Sequence, residues 1–464
     1  MNRGHGITLV AMIGALLTML ACADQQPTAP PHVVPTAQAD RITPSDTALT
    51  PRLVRRLAAQ RGIGQLGDPP YVRPALARLG RALMFDPILS GNHDVSCSTC
   101  HLPAFATGDG RSLSIGAGGS GAGPARTHPD GVFIPRNAPA LFDLSQLRHM
   151  FWDGRVEAIG HGHFQTPAGS ALTPAMTRAF EFGAVSAQPM FPVTSHAEMR
   201  GLSGNELAQI PDTDFAKIWT GLMHRLGSIP EYRRMFEEAY PGQRFRDMNF
   251  AYASNAIAGF VVSALSFNNS PWDRFLAGRD NALTPAQLDG ARTFLTLKCS
   301  VCHSGATLSD DKFHNVAVAQ IGPGQGEGLQ LRDDFGRMNV TGDPADQYSF
   351  RTTPLRNVEL TGPYGHDGSI VTLRGFIEHY SESDTKLRTY DPSQLEPLLR
   401  TTVVANTDAV LAHRDTLLNG VVLTPDLVNK LMVYMTALTD PAARDLSHVA
   451  PRHVPSGLPV GGQR

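Results

Sequence analysis

Two five-residue stretches stand out for the chemistry their side chains could do. Cys97-Ser98-Thr99-Cys100-His101 and Cys299-Ser300-Val301-Cys302-His303 both read C-x-x-C-H, 202 residues apart. At this spacing two thiols can form thioether bonds to the vinyl groups of a haem while the adjacent imidazole ligates its iron. Two other chemistries use the same residue types. A redox dithiol would need a coincident histidine twice. A zinc site would need all four thiols to converge from distant segments and would leave both histidines idle. The paired motifs account for four of the 5 cysteines. The sequence therefore predicts two covalently bound c-type haems, with His101 and His303 as iron ligands.

The elements that must position these motifs read as helices. Leu76, Leu79 and Leu83 form one apolar stripe, and Ile218, Trp219, Leu222 and Leu226 another. Residues 249–267 predict a long buried helix. Thr284-Pro285-Ala286-Gln287 is a capping-box start, followed on one face by Leu288, Ala291 and Leu295. Thr424-Pro425 opens a similar helix through Leu427, Leu431, Met435 and Leu438. Alternating strand patterns are scarce, so the expected fold is mainly α with long loops. The 44 Gly and 35 Pro in 464 residues fit that picture, with Gly-rich stretches at 116–123 and 322–328. With 40 Lys and Arg against 42 Asp and Glu, the chain lacks the basic excess of a nucleic-acid binder.

Compartment is written at the N-terminus. Arg3 precedes an apolar run from Ile7 to Leu20, too short to span a bilayer and of signal-peptide length. It ends Met19-Leu20-Ala21-Cys22, which resembles a bacterial lipoprotein signal with Cys22 as the acylated anchor. The alternative is an ordinary secretory signal with a stray cysteine. Residues 1–21 are thus expected to be a signal peptide and 22–50 a flexible Pro-rich tether. Both readings place the chain on the periplasmic side of a bacterial membrane, lipid-anchored or soluble. No later apolar run is long enough for a span.

Beyond the haem motifs, the chain from about Leu79 to Tyr380 resembles the bacterial di-haem cytochrome c peroxidase family, which includes the MauG-type enzymes. The matching stretches are Leu79 to Asp86, Arg136-Asn137-Ala138-Pro139, Phe151-Trp152-Asp153-Gly154-Arg155, Ala197-Glu198-Met199, Leu355-Arg356-Asn357-Val358 and Pro363 to Gly368. The resemblance implies two cytochrome c-like helical domains with haems either side of their interface. The expected layout is a peroxidatic haem domain at 51–248, an electron-transfer haem domain at 249–445 and a tail at 446–464.

The resemblance also assigns roles. Typical members carry a distal histidine sixteen residues past the first proximal one; here that position is Ala117. The first haem is then open, as in the MauG-type branch, unless His128, His149, His161, His163 or His196 substitutes. Glu198 and Gln188 match the family's distal catalytic pair, with Pro192 between them. The 36 residues from Trp152 to Gln188 exceed the compact members' spacing, so 157–186 looks inserted. Trp152 matches the tryptophan between the haems. Tyr380, fourteen residues past His366, takes the second haem's distal position, with His379 and Met338 as the other candidates. Asn137, Thr361 and Pro363 match an inter-haem calcium site, through one side-chain and two backbone oxygens.

The implied activity is reduction of hydrogen peroxide with electrons from a small periplasmic cytochrome or copper protein. The alternatives are a MauG-type oxidase acting on a partner protein and a tethered electron carrier or haem sensor without turnover.

Overall fold

The computed structural model describes residues 48–328 and 330–462. The expected signal peptide, Cys22 and the tether as far as residue 47 lie outside the described residues. Within them the fold is mainly helical, as the sequence predicts, and no helix is long and apolar enough to cross a membrane.

The two larger of four hydrophobic clusters among the described residues organise the chain, each built on a helix pair that precedes or frames a haem motif. In the first, helix Pro74–Phe85 buries Leu76, Leu79 and Leu83 against helix Phe250–Ala264, which is buried on nearly every side. The two backbones touch at Gly80. A Cβ there would sit 1.8 Å from the Ala256 carbonyl oxygen, so no side chain fits the crossing. The second core repeats the device. Helix Pro285–Thr296 crosses helix Pro425–Ala437 at Gly290, where a Cβ would lie 2.3 Å from the Lys430 carbonyl oxygen. The predicted capping box is present: Thr284 Oγ1 accepts from the Gln287 N–H at 3.2 Å, and Gln287 Oε1 from the Thr284 N–H at 3.0 Å.

The cores do not divide the chain at 248. Phe250 to Leu265, expected to open the second domain, packs in the first core. Helix Pro51–Gln60, expected to open the first domain, puts Val54 and Ala58 into the second core. Hydropathy identifies a buried helix but carries no record of which core receives it. The expected tail is also packed: Leu446, Val449 and Val454 are buried in the first core. Ser456 Oγ donates to the buried Asp86 at 2.6 Å, and the Gly461 N–H to the Phe85 carbonyl at 2.9 Å.

The 157–186 segment forms part of this body. Strand Val156–Gly160 pairs with His149–Met150 and His163–Gln165 in a small antiparallel sheet. Phe164 meets Phe180 edge-on, and Leu172, Met176, Ala179 and Phe182 are buried in the first core. Glu181 accepts a bidentate pair from Arg73 (2.7 and 2.8 Å) and a bond from Asn255 Nδ2 at 2.9 Å.

Candidate haem sites

Each C-x-x-C-H motif folds as one helical turn, Cys97–Cys100 and Cys299–Cys302, with the histidine as its C-cap. The histidines are held alike. His101 Nδ1 donates to the Thr107 carbonyl at 2.8 Å, and His303 Nδ1 to the Leu308 carbonyl at 3.1 Å. That bond fixes the tautomer and leaves Nε2 as the lone-pair donor a metal requires. Burial lowers both imidazoles' affinity for protons, His303 to about 4, which keeps them neutral. Burial moves the thiols the other way, Cys97 up to about 12 and Cys299 to about 11. A redox-active dithiol needs a depressed thiol pKa, so this environment opposes that reading. The four thiols stay in separate regions: among the described residues Cys302 clusters only with Asp310 and His314.

Around the second motif lies a cavity of about 240 Å³. One buried water needs on the order of 10–15 Å³, so the space takes a large group. Cys299, Cys302 and His303 line it, and so does Tyr380. The phenol makes no hydrogen bond among the described residues, and burial pushes its pKa up. Its ring packs edge-on to Phe376. His379, one residue earlier, is buried with Nε2 bonded to the Val316 carbonyl at 2.8 Å, and neither it nor Met338 lines the cavity.

Three oxygen-bearing residues matched to calcium share the same cavity wall: Asn137, Thr361 and Pro363. Asn137 Nδ2 donates to the carbonyls of Arg111 (2.9 Å) and Ser112 (3.2 Å), which leaves Oδ1 free to accept. Among the described residues the Thr361 and Pro363 carbonyls accept no hydrogen bond. Neutral oxygens without donors are the chemistry a hard cation uses. Asn137 also anchors Trp152, whose Nε1 donates to the Asn137 carbonyl at 2.9 Å, while the Asn137 N–H donates to the His366 carbonyl at 2.9 Å. Trp152 lines the cavity too.

At the first motif, the loop bearing Ala117 runs against the turn bearing Glu198. The Ala117 N–H donates to the Ala197 carbonyl at 3.1 Å. A Cβ on Gly116 would lie 2.0 Å from that same oxygen. Glu198 sits in a π-helical turn, His196–Arg200, a form that recurs at functional sites. Ser195 caps the turn, its Oγ accepting from the Glu198 N–H at 3.3 Å. Burial raises the Glu198 carboxyl above the usual range, against the pull of Arg155, Ser195 and Arg136. Gln188 opens the 3-10 turn Gln188–Met190, two short turns upstream of Glu198. Its side chain makes no hydrogen bond among the described residues.

Of the five substitute histidines, two are held by carboxylates, two are exposed and one accepts a backbone N–H. His149 donates from Nδ1 to Asp311 at 3.1 Å and meets Glu157 at 3.4 Å. His196 lies between the Gly201 carbonyl (2.5 Å) and Asp212 (3.0 Å). His161 and His163 are exposed on the hairpin. His128 accepts the Asp130 N–H on Nδ1 at 3.0 Å, with Nε2 packed against Gly118.

No sequence motif marks two groups of buried charges. Arg136 pairs with Asp153 at 2.5 Å and with Asp334 at 2.6 Å, all three buried. Against the cost of burial, Arg136 and Arg155 hold Asp153 down at about 2. His314 lies between Asp310 (3.1 Å) and Asp415 (2.5 Å). Burial lowers its pKa, but bonds to Asp310, Cys302 and Asp415 carry it up to about 11. Arg136 and Asp153 stand in the stretches Arg136–Pro139 and Phe151–Arg155, but nothing local marks them as partners.

Comparison with known proteins agrees with this architecture. The family profile described as "Di-haem cytochrome c peroxidase" matches residues 74–281. Cytochrome c551 peroxidase of Pseudomonas aeruginosa is 29% identical over 345 residues, covering 74% of this chain and 80% of that protein. Methylamine utilization protein MauG of Methylorubrum extorquens is 27% identical over 319 residues, covering 68% and 70%. The crystal structure of a MauG-like protein associated with microbial copper homeostasis superposes with a TM-score of 0.58 at 25% identity, covering 82% of this chain and 95% of that one. With its paired haem motifs, twin helix crossings and these relatives, the chain is similar to the di-haem cytochrome c peroxidase family, whose profile its residues 74–281 match.

Proposed function

We propose that this chain reduces hydrogen peroxide to water at the first haem, with electrons from a small periplasmic cytochrome or copper protein that enter through the second. One peroxide, two electrons and two protons give two waters. The haems, when bound, supply the iron that cleaves the O–O bond and stores oxidising equivalents.

The chain's residues do the rest. Ala117 offers a methyl group where an imidazole would block the first iron, so peroxide enters without a displacement step. Glu198, with its raised carboxyl pKa, takes a proton from the near peroxide oxygen and returns it to the far one. The Gln188 amide supplies a polar partner for the separating charge. Trp152 would relay electrons from one haem to the other, and Tyr380 would offer a phenol oxygen to the second haem's iron. Asn137, Thr361 and Pro363 would hold a calcium ion and stiffen the Trp152 segment. Cys22 anchors the chain to the periplasmic face of a membrane.

The observation that supports this reading is the Ala117–Ala197 hydrogen bond, which holds the loop bearing Ala117 against the Glu198 turn. Peroxide consumption with a reduced small c-type cytochrome tests it: turnover is expected, and its loss in Glu198→Gln. Tyr380 in the second cavity favours a second reading, a MauG-type oxidase acting on a partner protein. That reading predicts oxidation of both haems by stoichiometric peroxide with no turnover of small donors.

A further inference from the structure

The two haem motifs are built alike but are not equally open. In one helical turn successive side chains point about 100° apart, so Cys, Cys and His share one side and the two residues between the cysteines form the other. That outer side is what a protein partner meets as it approaches the edge of a haem held by thioether bonds. The first of the two intervening residues is buried in both motifs, Ser98 and Ser300. The second differs: Thr99 is 6% exposed and Val301 40%. The rim of the second cavity is open as well. Leu417, whose carbonyl accepts from Lys298 Nζ at 3.3 Å, lines that cavity and is itself exposed.

At the first motif residues 446–462 cover the outer side. Gly461 and Gly462 lie directly on the turn. A Cβ on Gly461 would sit 1.8 Å from Ser96 Oγ and 2.8 Å from Ser96 Cβ. One on Gly462, where φ is +74°, would sit 2.8 Å from the Ser98 carbonyl oxygen. Only glycine lets one backbone approach another this closely. A segment with so little regular structure keeps its place only where it is tied down, and this one is tied along its length. The Arg81 guanidinium donates to three successive carbonyls, of His448 (3.0 Å), Val449 (2.7 Å) and Ala450 (2.7 Å). The buried Asp86 accepts from Ser456 Oγ (2.6 Å) and the Ser456 N–H (3.3 Å), and is itself held by the Tyr232 phenol at 2.6 Å. Arg81 belongs to helix Pro74–Phe85 and Asp86 caps it, so the segment is fastened to the helix that leads into the first motif.

We propose that residues 446–462 form a fixed cover over the first haem motif, which closes that haem to donor proteins and leaves the second motif as the point where electrons enter. The cover stands on the side of the turn away from the His101 imidazole. It therefore sets which partner the haem can meet rather than what binds its iron. The inference rests on the reading of both motifs as haem sites and of the second as the entry point, for which it supplies a structural cause.

A chain stopped after Leu458 tests it, because it loses both glycines and keeps the Arg81 and Asp86 ties. Hydrogen exchange of the purified two-haem protein reads the cover: the amides of residues 96–102 should exchange about tenfold faster in the shortened chain. Stopped-flow mixing reads the closure. Each protein is oxidised with one equivalent of peroxide and mixed with rising concentrations of a reduced small c-type cytochrome, with the two haems followed at separate wavelengths. In the full chain the return of the first haem should level off at a rate independent of donor, since its electrons come from the second. In the shortened chain that rate should keep rising in proportion to donor. Gly461→Val, whose side chain cannot clear Ser96, should show both changes at full length and serves if the shortened chain folds poorly. Unchanged exchange, or a first haem that stays independent of donor once uncovered, overturns the inference and leaves the functional reading standing. A first haem that follows donor concentration in the full chain overturns the inference and the entry point together. A full chain that peroxide does not oxidise overturns the functional reading, and the exchange measurement still decides the cover.

Discussion

Ala117 donates its backbone N–H to the carbonyl of Ala197 at 3.1 Å, so the loop after the first haem motif is stitched to the turn that carries Glu198. The backbone of residue 117 is therefore held against the turn that carries Glu198. On the proposed reading, openness of the first iron and proton transfer would share this one backbone contact.

Ala117→His should close the site. The imidazole would give a six-coordinate, low-spin first haem, and peroxide reaction of the oxidised protein should slow at least about tenfold, 1.36 kcal/mol in barrier. Optical and EPR spectra report the spin state, and stopped-flow mixing the rate.

Glu198 gives a pH dependence of known sign. Burial raises its pKa, and it must be deprotonated to accept the peroxide proton. kcat/KM for peroxide should therefore rise with pH through a point above the ordinary carboxylate range and then level off. Glu198→Gln should remove that limb and cost about 10²–10⁴ in rate.

Tyr380→Phe tests the second ligand. The variant keeps the ring contact with Phe376 and loses the oxygen. A phenolate favours oxidised iron, so its loss should raise the second haem's potential and change its spectrum. A spectrum like the wild type's would assign the ligand elsewhere.

Arg136→Met should act on stability. It strands Asp334 as a buried carboxylate and leaves Asp153 to Arg155 alone, at a cost of about 3–5 kcal/mol. Chemical denaturation followed by haem absorbance should show the lower midpoint, most of all at neutral pH, where both acids are charged.

What the sequence discloses follows from how local the chemistry is. The haem motifs are legible because thioether attachment fixes Cys, Cys and His within five residues. Helix Phe250–Ala264 is legible as a buried helix, but its place in the first core depends on Gly80, about 170 positions away. His379 and Tyr380 are adjacent and differ by about 100° around a helix. Only packing turns one to the Val316 carbonyl and the other to the cavity. Arg136 looks like any arginine until its two buried carboxylate partners are visible.

The central claim is an iron that is open to peroxide beside Glu198 in the resting, fully oxidised protein. The measurement closest to it is the EPR spectrum of the two-haem protein as isolated, repeated after one equivalent of peroxide without prior reduction. The account predicts a high-spin first-haem signal that peroxide discharges within the mixing experiment, and much more slowly in Glu198→Gln. Two low-spin haems, inert to peroxide until reduced, would contradict it.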